Sequence, residues 1–174
     1  MLYLLDASVL ITAKDNYYPL DAVPEYWDWL QHLGESGQVK IPLEIWEEIK
    51  EGPKDAEKDL LYEWIQRPHV KAALLLDEEV DPKLVQRVTE EGYATDLTED
   101  EIEQLGRDPF LIAYGLAKPN DRVIVTSENS APGKKRANRK VPDVCLALGV
   151  QSKGPFELNR ELKFSTRWRE AAAR

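Results

Sequence analysis

Five acidic residues stand where strands are expected to end or helices to begin or turn inward: Asp6, Glu48, Asp108, Glu128 and Asp143. Carboxylate oxygens are hard ligands, and several gathered in one place suit Mg²⁺ or Mn²⁺. Asp6 interrupts the apolar run "YLLDASVLI" (3–11), so it sits just past a short buried strand. Glu128 sits just past "VIVT". In open parallel sheets, sites form beyond the carboxyl ends of the strands, which makes these two candidates for one site. In the helix expected over 43–51 the apolar residues are Ile45, Trp46 and Ile49. At about 100° per residue, Glu48 lies nearest that arc and is expected to be half-buried, with Glu44 and Glu47 further into solvent. A half-buried carboxylate needs a partner, and a metal ion is one. Asp108 opens a helix that is apolar almost all round, from Phe110 to Ala117, so it lies close to the core. Each acid also has a plainer reading. Asp6, Asp108 and Asp143 suit helix caps, Glu48 a solvated helix position, and Glu128 a loop. The metal reading rests on their order and context taken together.

The elements that must position these side chains can be read from hydrophobic period and breakers. Leu2–Leu5, "QVKI" (38–41) and "RVIV" (122–125) read as short buried strands. Helices are expected from Ala7 to Ala13, over "EYWDWLQHLGESG" (25–37), from Pro42 to Lys50, and over "DAEKDLLYEWIQRP" (55–68), stopped by Pro68. "DNYYPLDAVP" (15–24) reads as a loop. "VKAALLL" (70–76) fits a strand or a helix equally. Two acidic helices follow, over 81–92 and 98–105. "DPFLIAYGLA" (108–117) is predicted to be a helix with Asp108 at its N-cap and Pro109 in the first turn. After the polar "TSENS" come a basic loop (131–141), a short helix over "VPDVCLALGV" (141–150) and a helix around 156–162. Short strands that are apolar on both faces and alternate with helices predict an α/β fold: three layers, α/β/α, with a mainly parallel central sheet. One domain over 1–174 is expected, with an acidic helical region at about 55–107.

This set of motifs resembles the PIN-domain nucleases, which include the toxins of bacterial toxin–antitoxin pairs. "LLDASVLI" is similar to the family's opening strand and first aspartate. "IPLEIWEEIKEG" is similar to its helix with a glutamate followed by an aliphatic residue and a glycine, which selects Glu48. "DPFLIAYGLA" resembles the third motif, an aspartate leading an alanine-rich helix. "VIVTSENS" resembles the strand ending in Thr-x-Asp, here Thr126-Ser127-Glu128. Two departures mark a divergent, PIN-like branch: Glu128 replaces an aspartate, and Asp143 follows an unusually long basic loop, so either supplies the fourth carboxylate.

The resemblance implies a PIN-like fold and a metal-dependent ribonuclease, with Asp6, Glu48 and Asp108 as ligands of Mg²⁺ or Mn²⁺ and Glu128 or Asp143 as the fourth acid. Bound metal would activate water toward phosphorus and stabilise the leaving oxygen. Ser8 and Thr126 would orient a ligand or water, against a bland reading as local turn bonding. Lys134, Lys135, Arg136, Arg139 and Lys140 would hold the RNA backbone, or else form a solvated charge run. Tyr17 or Tyr18 would stack on bases, or else pack the loop. The resemblance further implies a homodimer and, for a toxin, a protein antitoxin. Two other classes compete. A haloacid-dehalogenase-like phosphatase would need a second acid two residues after Asp6, where Ser8 stands. A PIN-like binding module would keep the fold with vestigial carboxylates.

Bulk properties narrow the field. The chain has 174 residues and a net charge of −9, which counsels against a protein that grips nucleic acid over its whole surface. Cys145 is its one cysteine, which leaves no disulfide framework and fits a reducing cytoplasm. No apolar stretch is long enough to span a membrane, no signal peptide is expected, and no Walker-type loop is present. His32 and His69 are far apart, which disfavours a zinc site.

Overall fold

A computed structural model of the protein describes residues 1–52 and 59–172. Four strands, β1 (Leu2–Leu5), β2 (Val39–Lys40), β3 (Arg122–Val125) and β4 (Gln151–Lys153), form one sheet in the order β2-β1-β3-β4. Every pairing is parallel: Tyr3 registers with Val39, Leu4 with Ile124, and Val125 with Lys153. The chain leaves β1 toward β2 on one side, then returns to place β3 on the other side of β1. The crevice between β1 and β3 is therefore the topological switch point, where the loops leaving two neighbouring strands diverge.

The helices are α1 (Ala7–Thr12), α2 (Pro24–Glu35), α3 (Leu43–Glu51), α4 (Leu60–Ile65), α5 (Pro68–Leu74), α6 (Pro82–Arg87), α7 (Glu99–Leu105), α8 (Asp108–Ala117), α9 (Val141–Leu148), α10 (Pro155–Glu161) and α11 (Trp168–Ala172). Alternation along the strands assigns the layers. Leu4 and Ile124 share one face, and α8 lies on it so closely that a Cβ on Gly115 would come within 3.0 Å of Ile124. Tyr3 faces the other way and donates its hydroxyl hydrogen bond to Glu161 of α10. On that side Tyr26 and Trp29 of α2 pack with Tyr18 and Phe164. The α/β architecture with helices on both faces of a parallel sheet is the one the alternating pattern predicts. Its core includes Leu4, Leu5, Leu10, Ile41, Ile45, Ile112 and Ile124, all with no exposed surface.

Several local expectations change. β4 was not expected: "QSK" is polar, three residues long and at the sheet edge, so it has none of the buried-strand signal of β1 and β3. Pro68 does not end the chain's helical course but opens α5 at its first turn, where proline's missing N–H costs nothing. "VKAALLL" resolves as α5 followed by a bridge from Leu75 to Ile41 that extends the sheet beyond β2. The loop expected at 15–24 begins instead as a π-helical turn, Ala13–Tyr17, continuing α1, and a second one, Val88–Tyr93, continues α6. The expected helix start at 55–58 lies outside the described residues. Among the described residues no helix is long and apolar enough to cross a membrane.

Candidate functional site

Asp6 follows β1 directly, and its backbone N–H still bonds to Val125 of β3. It occupies the N-cap position of α1, yet its side chain makes no cap hydrogen bond. The carboxylate turns instead toward the loop after β3. Its Oδ2 accepts from the Ser8 hydroxyl at 2.6 Å and from the Thr126 hydroxyl at 2.7 Å. Ser8 also accepts from the Ser127 N–H at 3.1 Å, and Thr126 from the Glu128 N–H at 3.1 Å. The two loops at the switch point are thus laced together around one carboxylate oxygen. Asp6 is only 6% exposed; burial pushes its pKa up, the two hydroxyls pull it down, Glu128's charge raises it, and the net direction is upward.

Asp108 stands at the first helical position of α8, with Arg107 at the cap, one residue earlier than expected, and it too makes no cap bond. Burial is the largest influence on it, followed by the charges of Asp6, Glu128 and Glu48, which together push its pKa up to about 8 against a weaker opposing pull from Lys140. Glu48, from α3, is raised by desolvation and then by Asp6, with Arg107 opposing. The four acids Asp6, Glu48, Asp108 and Glu128 therefore share one electrostatic neighbourhood, drawn from four separate elements. Among the described residues no three of them stand close enough to enclose an ion as they are.

Exposure along α3 departs from the helical-arc reading. Glu48 is exposed at its surface, while Glu44 and Glu47 are half-buried, and Glu44 Oε2 is buried without a partner. The arc counts only the helix's own apolar residues. In the fold α3 packs against α1, α4 and α8, so its flanks are covered as well.

Glu128 is held on both oxygens, by Lys140 Nζ at 3.0 Å and by the Val141 N–H at 2.8 Å. It thereby caps α9 while its charge acts on Asp6 and Asp108. Asp143 does different work. It accepts from Ser130 Oγ at 2.5 Å and from the Ala131 N–H at 2.8 Å, bonds that lower its pKa. It closes the loop that precedes α9. In that loop Arg136 is paired with Asp96 and Glu101, and Arg139 donates to the carbonyls of Gly92 and Asp143. Lys134 and Lys135 are exposed and make no ion pair among the described residues. Of the five basic residues, Lys140 alone has its charge registered at Asp108.

Tyr93 had no signal in the sequence. It ends the second π-helical turn, is 7% exposed, and its hydroxyl has no hydrogen-bond partner among the described residues. Burial raises its pKa most, and the charges of Asp108 and Glu128 raise it further, so the hydroxyl senses those two carboxylates. A buried hydroxyl left unpaired costs about 1–3 kcal/mol. An oxygen-only donor set, like charges raising one another's pKa, and an orphaned donor at its side fit a hydrated divalent cation. Cys145 is buried, and that burial pushes its thiol up to about 12.

A groove of about 300 Å³ adjoins this centre, its lining including Thr126–Asn129, Tyr17 and Phe156. A concavity of similar size, at Trp29, His32 and Trp168, lies away from the acids. No curated protein and no solved structure matches the chain. The family profile described as "Domain of unknown function (DUF4411)" matches residues 3–166, nearly the whole of the chain, and the protein therefore belongs to that family.

Proposed function

We propose that the protein is a divalent-metal-dependent endoribonuclease of PIN-like type, hydrolysing RNA phosphodiester bonds. The observation that carries this reading is the electrostatic neighbourhood that Asp6, Glu48, Asp108 and Glu128 share near the switch point of a parallel sheet, with Asp108 raised to about 8 chiefly by burial and by the other three. Asp6, Glu48 and Asp108 would hold Mg²⁺ or Mn²⁺, with Glu128 rather than Asp143 as the fourth acid, because Asp143 is committed to Ser130 and Ala131. The cation would supply an activated water and charge stabilisation at the leaving oxygen. Ser8 and Thr126 fix Asp6 by Oδ2, so that Oδ1 is the oxygen left for a ligand among the described residues. Lys140 is placed to meet a phosphate oxygen near Asp108. Tyr93 offers a hydroxyl to water or phosphate at the same place. Membership of a toxin–antitoxin pair, and a homodimer, are further proposals carried by the PIN resemblance alone.

One observation favours a second reading, a binding module with vestigial carboxylates: both oxygens of Glu128 are already engaged. Incubation of a mixed RNA pool with Mg²⁺ or Mn²⁺ separates the two. Wild type should cleave only with metal and Asp6→Asn should not; calorimetry should show Mn²⁺ binding to wild type alone. Absence of both cleavage and binding in wild type would leave the binding module standing.

A further inference from the structure

We propose that the groove beside the centre is a subsite for an unpaired nucleobase, with Tyr17 and Phe156 as its stacking wall and Asn129 as the group that reads the base edge. The proposal rests on the ribonuclease reading for the polymer that carries the base. Tyr17 is 50% exposed and Phe156 44%, unusual for large rings in a chain with an otherwise well-filled core. Their rings meet edge to face, with centroids 4.8 Å apart and planes at 80°, so each braces the other while both keep surface open. Tyr18, next in sequence, is packed flat on Tyr26 at 4.2 Å and is not available. The loop after β3 lines the same groove, and its Thr126 donates to Asp6. The groove is thus one hydrogen bond from the candidate centre.

Its polar groups suit a base better than a phosphate. Asn129 and Thr12 make no side-chain hydrogen bond among the described residues, so an amide and a hydroxyl are free to pair with base edges. Glu128 and Glu157 are among its lining residues and bring acidic groups to it, which disfavours an anion. A neutral aromatic ring avoids that repulsion, while the phosphate it hangs from stays toward Lys140. A second concavity of about 260 Å³ shares Glu128, Asn129, Gly154 and Glu157 and continues the trench. A base enters such a groove only when splayed out of a stack, so the occupant is single-stranded.

Uncharged ribonucleosides test the subsite without metal and without catalysis. Titrated into the isotope-labelled full chain in chelator, they should shift the amide resonances of Tyr17, Asn129, Gly154 and Phe156. Tyr17→Ala and Phe156→Ala should each weaken that binding by about tenfold, Tyr17→Phe should retain it, and Asn129→Ala should alter the preference among the four nucleosides. With RNA and metal, Tyr17→Ala should raise KM with kcat nearly unchanged. Shifts elsewhere, none at all, or equal binding by Tyr17→Ala would overturn the subsite. Cleavage by wild type without these shifts removes the subsite and keeps the nuclease; shifts without cleavage keep the subsite and remove the nuclease.

Discussion

Two hydroxyls on one oxygen of Asp6 define what that carboxylate can do. Ser8 and Thr126 both donate to Oδ2, and neither has another acceptor as short. Supporting hydrogen bonds of this kind orient a ligand and commonly govern affinity by 10–100-fold. Ser8→Ala and Thr126→Val should therefore each weaken Mn²⁺ binding by about 10–100-fold in calorimetry while the circular dichroism spectrum is kept. Asp108 gives a pH prediction. In the unfolded chain its carboxyl ionises near the ordinary 3.8, and in the metal-free fold near about 8. Between those values the native state holds a proton that the unfolded chain has released. Stability without metal therefore falls as pH rises through that window and levels off above it. Asp6 and Glu48, also raised, act in the same direction. Thermal unfolding in chelator from about pH 5 to about pH 8.5 should show a steeper decline in wild type than in Asp108→Asn. Equal slopes would mean that Asp108 is not held protonated by its neighbours.

Helix contacts decide where these residues stand. Gly34 lets α2 meet α5: a Cβ there would come 2.7 Å from the backbone oxygen of Ala73, which cannot swing aside as a side chain can. Gly34→Ala should destabilise the fold by about 1–3 kcal/mol, read as a lower urea midpoint with unchanged slope. The two π-helical turns have a common consequence. Each follows a short α-helix and ends on a tyrosine, Tyr17 at the groove and Tyr93 beside the acids. Such turns insert a residue into the helical register and often mark functional positions. Tyr93→Phe removes the orphaned hydroxyl and should leave stability equal or slightly higher while lowering cleavage; a clear loss of stability in chemical denaturation would assign Tyr93 to packing instead.

Charge and topology meet at the level of the whole molecule. A net charge of −9, with four acids that share one electrostatic neighbourhood near the switch point, favours cations over polyanions at that end of the sheet. A divalent ion that binds only the folded state at about a hundred times its dissociation constant contributes about 2.7 kcal/mol. For a chain of this size that corresponds to about 5–10 °C in Tm. Mn²⁺ should raise the wild-type Tm by that order and leave Asp6→Asn unmoved. A shift of equal size in both would place the ion elsewhere.

The residues themselves determined the layered α/β class, because short strands apolar on both faces leave no other way to bury them, and they marked Asp6, Asp108 and Glu128 by position relative to strand ends and an apolar helix, while Glu48 was marked by the resemblance and not by the apolar arc of its helix. Three things waited for the tertiary structure. The polar edge strand β4 is held by its neighbour β3, not by its own composition. The division of labour between Glu128 and Asp143 depends on which loop each carboxylate closes, and both loops are formed by contacts made after the chain has turned back on itself. Tyr93 carries no local pattern, since what distinguishes it is a buried hydroxyl without a partner among the described residues, and of the two tyrosines named as stacking candidates only the fold decides that Tyr17 stays exposed, braced by Phe156, while Tyr18 is packed on Tyr26.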